Sequence, residues 1–305
     1  MKNKVALGHI LGLFTGMVWG VTFTSSKILL QSFESIELLF YRFIVAFVAL
    51  FLMAPRIFKW QGIKKELHYM FAGLTGIAMY QYCENMALKH TYAGNASVII
   101  AVAPLLTALF VYIYSKGKQK LKANFFLGFF VAMIGISLIA FNGSKLQLSP
   151  IGDLMALVCA IIWGLYSVNG NIIASYKDNI LQATRRTFTY GIIFLIPLMI
   201  KDGFRFGIER FGNPVNLFNL LFLGVVASGI CFVTWNYAIA VLGSVKTTVY
   251  VYVSPVVTVV VSALVLHEEV TALSVAGTAL TLLGLVITNL NKKRIGENSD
   301  DKTVS

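Results

Sequence analysis

Ten apolar stretches, each long enough to cross a lipid bilayer as a helix, constrain the fold of this chain more than any other feature. The hydrocarbon core of a bilayer takes a helix of roughly 17 to 25 mostly apolar residues. The stretches of this kind are 8–30, 36–54, 67–88, 93–115, 122–141, 151–175, 181–200, 216–240, 244–266 and 272–290. Only 12% of the residues are charged, whereas a soluble domain averages about 25%. The sequence therefore predicts an all-α polytopic membrane protein with ten transmembrane helices and the lipid bilayer as its surroundings.

The positions of the basic residues predict how the chain is oriented. If the N-terminus lies in the cytoplasm, most basic residues outside the helices fall on the same side, including those at 64–65, 116–122 and 292–294. Basic residues accumulate in cytoplasmic loops, so we expect a cell-membrane protein with both termini in the cytoplasm. This placement accounts for the net charge of +12, and no nucleic-acid partner is expected. The loop 201–215 fits the bias least well, because it carries basic residues on the outer side.

The two halves of the chain repeat the same features in the same order. These features are Trp19-Gly20 and Trp163-Gly164; Arg42 and Arg186; Asn85 and Asn236, each 19 residues before Pro104 or Pro255; and Gly128 with Gly135 and Gly277 with Gly284. Five spans is an odd number, so two five-helix repeats enter the membrane in opposite directions, and the solute site of such a carrier lies between them. We predict an inverted repeat with a first unit at 1–145, a second at 146–291 and a disordered cytoplasmic tail at 292–305. Ser149-Pro150 is expected to begin the sixth helix, as a hydroxyl cap followed by proline.

The first helix carries a glycine every four residues, at Gly8, Gly12, Gly16 and Gly20. This spacing keeps the glycines on one face, where the missing side chains allow another backbone to approach closely. We therefore expect a packing face with no chemistry of its own.

Two ionisable residues inside apolar spans mark the candidate solute site. Arg42 and Glu84 are expected at similar depth on adjacent helices, where an ionisable group is costly unless it is paired or faces a wet cavity. They either form a salt bridge between helices two and three or contact the transported solute, and a carrier can do both in turn. Glu84 is also the candidate for carrying a coupling proton.

Polar and aromatic residues near these charges and at the related positions of the second half complete the candidate site. The predicted substrate-binding residues are Arg42, Tyr80, Glu84, Asn85, Trp163, Tyr166, Arg186, Trp235, Asn236 and Tyr252. Arg186 and its neighbour Arg185 are equally well interpreted as interfacial anchors of helix seven. Pro104 and Pro255 each remove a backbone hydrogen bond and are expected to kink or hinge their helices.

Motifs for enzyme chemistry are missing from the sequence. The histidines are scattered near helix ends, only Asp153 lies at the edge of a span, and there is no phosphate-binding loop for ATP. Cys83, Cys159 and Cys231 fall inside predicted helices, so we interpret them as packing residues and expect no disulfide framework. The sequence predicts a protein that is not an enzyme and has no cofactor and no metal site.

Several of these segments resemble the EamA-type members of the drug/metabolite transporter superfamily, over about residues 8–289. The resemblance is carried by Trp19-Gly20, Trp163-Gly164, Asn85-Met86-Ala87, Asn236-Tyr237-Ala238, Tyr252-Val253-Ser254-Pro255-Val256, Leu266-His267-Glu268-Glu269-Val270-Thr271 and the segment 277–284. It implies ten helices, inverted halves, a central cavity, and export or exchange of amino acids and other small metabolites. The first half departs from the pattern, because it has Ser115-Lys116-Gly117-Lys118-Gln119-Lys120 where the second half has Glu268 and Glu269. Those acids are thus interpreted as a loop cap and not as a paired transport device.

Together these features predict a secondary transporter that moves a small polar metabolite by alternating access. The leading candidate for the solute is an amino acid, and the expected direction is export or exchange. The alternative is an efflux carrier for lipophilic or quaternary cations, which would use Glu84 with the aromatic residues. An intramembrane enzyme is a remote third hypothesis. The sequence leaves both a monomer and a homodimer open.

Overall fold

The computed structural model describes residues 2–56, 59–90, 96, 99–118, 121–140, 149–201, 203–265 and 271–289, apart from the side chains of Lys2, Phe23, Lys27, Leu88, Ala140 and Ser262. Within this part of the chain the regular structure is helical and no strand occurs. The predicted tail 292–305 and the acidic turn with Glu268 and Glu269 lie outside the described residues.

The described chain folds into a bundle of long helices. They are α1 (Lys2–Leu29), α2 (Ser35–Met53), α3 (63–90, built of Ile63–Ala72, Gly73–Met79 and Tyr80–His90), α4 (Ala103–Tyr114), α5 (Ala123–Ala140), α6 (Pro150–Ser175), α7 (Ile180–Lys201), α8 (Pro214–Leu242), α9 (Ser244–Val265) and α10 (Ala272–Asn289). Six of them, namely α1, α2, α6, α8, α9 and α10, are long and apolar enough to cross a bilayer, and α4 and α5 are shorter apolar helices. The fold is that of a multi-pass α-helical membrane protein. As predicted, α6 begins at Pro150, with the Ser149 hydroxyl accepting a hydrogen bond from the backbone of Gly152.

Ion pairs between helix ends define two rims of the bundle. At the first, which we call the Asp178 rim, Lys65 at the start of α3 contacts Asp178 in the α6–α7 turn at 3.0 Å. At the second, the Arg210 rim, Glu37 at the start of α2 contacts Arg210 in the α7–α8 connection at 2.8 Å. Helix α2 therefore runs from the Arg210 rim to the Asp178 rim, and α3 runs back.

Helices α3 and α8 each contain a π-helical stretch midway, Gly73–Met79 and Phe222–Ile230. Such stretches are rare and occur often at functional sites. The stretch in α3 ends directly before Tyr80, and the one in α8 ends five residues before Trp235. The two halves thus interrupt their third helix at related places.

Pro104 and Pro255, the two prolines predicted to kink their helices, each follow a turn that interrupts the regular α-helix. Pro104 is in the first turn of α4, after a turn in which the Val102 amide donates to the Ile99 carbonyl at 3.1 Å. Pro255 is in the first turn of the segment Val253–Val265, which follows a 3₁₀ turn at Val249–Tyr252. At a helix start the missing proline N–H costs no hydrogen bond. The regular α-helix is therefore interrupted before each proline, by a turn before Pro104 and by the 3₁₀ turn within α9 before Pro255, and a hinge role remains a prediction.

The glycine ladder of α1 is a packing face, as predicted. A Cβ atom built on Gly12 would lie 2.7 Å from the Tyr250 ring, and one on Gly16 would lie 2.5 Å from the Tyr250 carbonyl oxygen. The Ser254 hydroxyl donates to the Gly16 carbonyl at 2.9 Å. These contacts join α1 in the first half to α9 in the second.

Helices α5 and α10 pack through the glycines that the repeat aligns. A Cβ atom on Gly135 would lie 2.5 Å from the Gly277 carbonyl oxygen, and one on Gly284 would lie 2.6 Å from the Gly128 carbonyl oxygen. Close backbone approach at small residues is a common way for helices to associate in lipid.

Candidate functional site

Three tryptophans from three helices meet in the middle of the bundle. The ring centroids of Trp19 (α1) and Trp163 (α6) are 5.3 Å apart, those of Trp19 and Trp235 (α8) 4.8 Å, and those of Trp163 and Trp235 5.8 Å. We call these three residues the tryptophan cluster. Such edge-on and tilted arrangements are the favoured geometry of aromatic pairs. Since α1 belongs to the first half and α6 and α8 to the second, the cluster lies where the halves meet.

Two tyrosines extend the tryptophan cluster. Tyr80 in α3 lies 5.0 Å from Trp163, and Tyr166 lies 5.2 Å from the same ring, between centroids. Trp163 and Tyr166 are three residues apart on α6, so they project from one face of that helix. The result is a continuous aromatic surface contributed by α1, α3, α6 and α8.

Arg42 lies inside the bundle beside this surface, with 7% of its area exposed. Its Nε donates to the Ser228 hydroxyl at 2.6 Å and its Nη1 to the Gln81 side-chain oxygen at 3.2 Å. Both partners are neutral, so neither compensates the charge of the guanidinium. A buried guanidinium that makes no direct ion pair can still gain from one, and the site therefore retains the capacity to hold an anionic group.

Glu84 lies on the same side of the tryptophan cluster as Arg42. Its carboxylate accepts a long hydrogen bond, 3.4 Å, from the Tyr80 hydroxyl one turn earlier. It is near enough for the charges of Glu84 and Arg42 to interact, but no hydrogen bond or ion pair joins them among the described side chains. Of the two interpretations drawn from the sequence, the direct salt bridge between α2 and α3 is not formed in this conformation.

A cavity of about 400 Å³ leads from the Asp178 rim toward the tryptophan cluster. Lys177 and Asp178 line it at the α6–α7 turn, and Tyr166 and Asn236 line it deeper in the bundle. The Tyr166 hydroxyl donates to the Asn236 side-chain oxygen at 3.0 Å, and the Asn236 amide donates to the Thr184 hydroxyl at 3.0 Å. Polar side chains thus line the inner part of a passage that is large enough for a small metabolite.

Several buried polar atoms around the site have no hydrogen-bond partner among the described residues. They are the indole N–H groups of Trp163 and Trp235, the side-chain amide of Asn85 and the hydroxyl of Tyr252. Buried polar groups are nearly always paired in folded proteins, so each exception calls for an explanation. The three nitrogen groups are donors, and a ligand with acceptor atoms would satisfy them.

Arg186 lies at a different place from Arg42. Its Nε and Nη2 donate to the two oxygens of Glu66 in α3, at 2.9 and 2.6 Å. The Tyr190 hydroxyl donates to the same carboxylate at 2.6 Å. The side chain of Glu66 is fully buried. This bidentate pair joins α7 to the beginning of α3 near the Asp178 rim, which matches the anchoring interpretation of Arg186.

At the opposite rim, Glu37 holds the connection between α7 and α8. Its carboxylate accepts hydrogen bonds from the Arg210 side chain at 2.8 Å and from the Arg205 backbone at 3.2 Å. Arg210 also donates to the Ser32 carbonyl and lies over the Phe33 ring, 4.4 Å from its centroid. The hydrogen bond to Glu37 raises the pKa of the Arg210 guanidinium above its usual value. The pair therefore stays charged and ties the connection to the ends of α1 and α2.

The structure brings together part of the predicted site and adds residues to it. Tyr80, Trp163, Tyr166 and Trp235 share one aromatic surface, with Arg42 and Glu84 beside it and Asn236 at the inner end of the cavity. Asn85 and Tyr252 are in the core with unpartnered atoms, whereas Arg186 is paired with Glu66. The sequence analysis missed Trp19, Gln81, Ser228, Thr184 and Glu66. The sequence repeat could have identified Trp19 as a site residue, because it is the repeat partner of Trp163.

Among the described residues no group of three or more His, Cys, Asp or Glu side chains could hold a metal ion.

Comparisons with known proteins agree with this architecture. An uncharacterized transporter of Archaeoglobus fulgidus is 29% identical over 292 residues, which cover 92% of this chain and 96% of that protein. A probable terminal-alkyne amino-acid exporter of Streptantibioticus cattleyicolor is 27% identical over 293 residues, 95% of each chain. A solved crystal structure with 18% sequence identity matches with a TM-score of 0.75 over 93% of this chain and 98% of that chain, which shows a shared fold.

A sequence model of the EamA-like transporter family matches this chain twice, at residues 6–141 and 150–290. The two matches leave out only the ends and the short segment between the halves. The chain therefore belongs to the EamA-like transporter family and is a transporter of that family.

Proposed function

We propose that this protein is a secondary transporter that carries a small zwitterionic metabolite by alternating access between two inverted five-helix halves. An amino acid is the leading candidate for this metabolite. The observation that carries the proposal is the buried Arg42, which donates hydrogen bonds only to neutral side chains among the described residues and lies with Glu84 beside the tryptophan cluster. One relative is named a probable amino-acid exporter, which agrees with this solute class.

The directions of the helices support the inverted arrangement. Helix α1 runs toward the Arg210 rim and α6 runs away from it, as an inverted repeat with units 1–145 and 146–291 requires. The main contacts between the halves are also repeat-related: glycines of α5 meet glycines of α10, and Trp19 meets Trp163. Halves that join along a shared surface can rock against each other and expose a central site to each side in turn.

The chemistry of the site suits a zwitterion. The solute carboxylate would accept hydrogen bonds from Arg42 and from the unpartnered indole N–H groups, and its ammonium would contact Glu84 and the aromatic rings. A ligand with both charges compensates Arg42 and Glu84 together. A solute without charged groups would leave Arg42 and Glu84 to interact only with each other, without a direct ion pair.

The charge of the Asp178 rim supports an outward direction of transport. Exposed basic side chains on this rim are Lys4, Arg56, Lys59, Lys64, Lys116, Lys118, Lys122, Lys177 and Lys246. By the positive-inside rule this rim is the cytoplasmic one, with both termini on that side. The cavity would then open to the cytoplasm, where a metabolite is loaded for export.

Uptake into proteoliposomes with a panel of labelled amino acids tests the proposal. We expect Arg42→Gln and Glu84→Gln to abolish most of the uptake, because each removes a charge-assisted hydrogen bond worth about 1.5–3 kcal/mol, or about ten- to hundredfold in affinity. Arg56→Gln and Glu209→Gln remove the same charges from exposed positions and should transport normally. The proposal is wrong if no amino acid is taken up, or if Arg42→Gln transports as the wild type does.

Proton coupling through Glu84 is a separate part of the proposal. If Glu84 carries the coupling proton, uptake driven by a pH gradient stays absent in Glu84→Gln even at saturating solute, whereas exchange of labelled for unlabelled solute at equal pH returns once the solute concentration offsets the loss of affinity. Gradient-driven uptake that survives in this variant excludes Glu84 as the coupling group.

Efflux of lipophilic cations is the second candidate, and the aromatic surface next to Glu84 is the observation that favours it. Aromatic faces attract cations, but Arg42 at the same site repels them. Uptake of labelled tetraphenylphosphonium distinguishes the two solute classes. Under this alternative the cation is transported, and Arg42→Gln improves its transport instead of abolishing it.

A further inference from the structure

Two cysteines from opposite halves lie against each other next to the proposed solute site. Cys83 is in α3 and Cys159 in α6; Cys83 packs against the buried cluster that contains Cys159, and the two thiols are close enough to interact. The Cys159 Sγ also lies 3.7 Å from the Tyr80 carbonyl oxygen, to which it donates. Cys159 is buried and Cys83 is half-buried. A thiol pair of this kind has no role in the solute contacts proposed above.

The surroundings of the pair allow the two helix backbones to come close. Ala87 of α3 and Ala156 of α6 are both fully buried in the same cluster as Cys159, with Cys83 packed against it. Ala87 is one turn from Cys83 and Ala156 is close to one turn from Cys159, so small residues flank both cysteines. A disulfide needs Cα atoms about 4.4–6.8 Å apart, and small residues beside both cysteines allow the two helices to come that close.

We propose that Cys83 and Cys159 form an oxidation site, at which a two-electron thiol oxidant produces a disulfide between α3 and α6. With hydrogen peroxide, the half-buried Cys83 thiol is oxidised first to a sulfenic acid: the O–O bond breaks, an S–O bond forms, and one water is released. The Cys159 sulfur then attacks the Cys83 sulfur, the S–S bond forms, and a second water leaves. In total two thiols lose two electrons and two protons, and one peroxide becomes two waters. Cys83 is the entry point because it is the more exposed thiol.

The position of the bond determines its consequence, and this step rests on the proposed alternating access. Cys159 is one turn before Trp163 on α6, on the side toward the Arg210 rim, whereas the cavity opens at the Asp178 rim. The bond would therefore join the two halves beyond the tryptophan cluster and leave the cavity mouth free. The oxidised protein keeps access to the site from the Asp178 rim but cannot complete the cycle.

The purified full-length protein in detergent, with Cys231→Ser as background to leave two thiols, provides the test. After treatment with diamide, which takes up the two electrons and two protons, we expect peptide mapping by mass spectrometry to find a Cys83–Cys159 cross-link that dithiothreitol removes. In proteoliposomes the same treatment should abolish most of the transport, reversibly. Cys83→Ser and Cys159→Ser should each transport and be insensitive to diamide.

The outcomes separate this proposal from the proposed function. Absence of the cross-link when diamide has reacted with the protein, or a cross-link only between two copies of the chain, overturns the oxidation site. A cross-link in most molecules with undiminished transport contradicts the proposal that the disulfide stops the transport cycle. If the reduced protein transports nothing in the panel, the proposed function fails, whereas the oxidation site is still decided by the peptide map.

Discussion

Replacing Arg186 by glutamine should destabilise the fold without acting on the solute site. The Glu66 carboxylate accepts two hydrogen bonds from Arg186, at 2.9 and 2.6 Å, and one from Tyr190 at 2.6 Å. Its side chain has no exposed area, whereas that of Arg186 is 21% exposed. Breaking a buried pair by removing one partner costs about 3–5 kcal/mol. Because the exposed part of Arg186 is screened by water, we expect about 3 kcal/mol, the lower end of this range.

The difference in exposure also predicts an asymmetry between the two partners. Arg186→Gln leaves a fully buried carboxylate unpaired, whereas Glu66→Gln leaves a guanidinium that water can reach. Glu66→Gln should therefore cost less, about 1–2 kcal/mol. In the double variant neither charge is left uncompensated, so its cost should be clearly smaller than the sum of the two single costs.

Unfolding by sodium dodecyl sulfate in mixed micelles, followed by circular dichroism, measures these free energies. Arg205→Gln removes an arginine from an exposed position and is the control for the loss of charge. If the cost of the double variant equals the sum of the two single costs within about 0.5 kcal/mol, as expected for independent sites, the reasoning from the ion pair is refuted. If Arg186→Gln unfolds like the wild type but loses solute binding, Arg186 belongs to the solute site after all.

Three other predictions follow from single contacts. Gly135→Leu should destabilise the fold by about 1–3 kcal/mol, because a Cβ atom there would meet the backbone of α10, whereas Gly212→Ala, with open space around it, should be neutral in the same assay. Glu37→Gln should accelerate tryptic cleavage after Arg205, because the connection between α7 and α8 loses its ion pair; an unchanged cleavage rate contradicts this role. Trp235→Phe should weaken amino-acid binding by about fivefold, through loss of one hydrogen bond of about 1 kcal/mol, because the indole N–H has no partner among the described residues and is free for the solute; the smaller ring also lowers thermal stability, because Trp235 is fully buried. Equal affinity, measured by isothermal titration, would contradict it.

The sequence predicted those parts of the structure that depend on hydropathy or on residue spacing within one segment. The length of the apolar stretches predicted a multi-pass helical protein, and the four-residue glycine ladder predicted the packing face of α1. The helix start at Pro150 also followed from local chemistry, because a hydroxyl cap and a proline both favour that position. These features depend on residues close in sequence or on bulk polarity, which can be read without the tertiary fold.

The predictions were less complete where a residue's partner is distant in sequence. Glu66 was outside the predicted third span, which began at residue 67, because three charged residues at 64–66 are unfavourable in lipid. In the structure the helix begins at Ile63, since Arg186 and Tyr190 of α7 satisfy the carboxylate. Such compensation comes from another helix, and hydropathy along one segment does not contain it.

The repeat shows most clearly what sequence can and cannot fix. Arg42 and Arg186 occupy related places in the sequences of the two halves, and position made both candidate site residues, with an anchoring role left open for Arg186. In the structure Arg186 has a buried carboxylate as partner, whereas Arg42 has only the neutral side chains of Gln81 and Ser228. A charge already compensated by the fold has little to gain from a ligand, and an uncompensated one has much to gain. The repeat therefore predicts where a charged side chain lies, and the partners around it decide whether it stabilises the fold or is free to bind a solute.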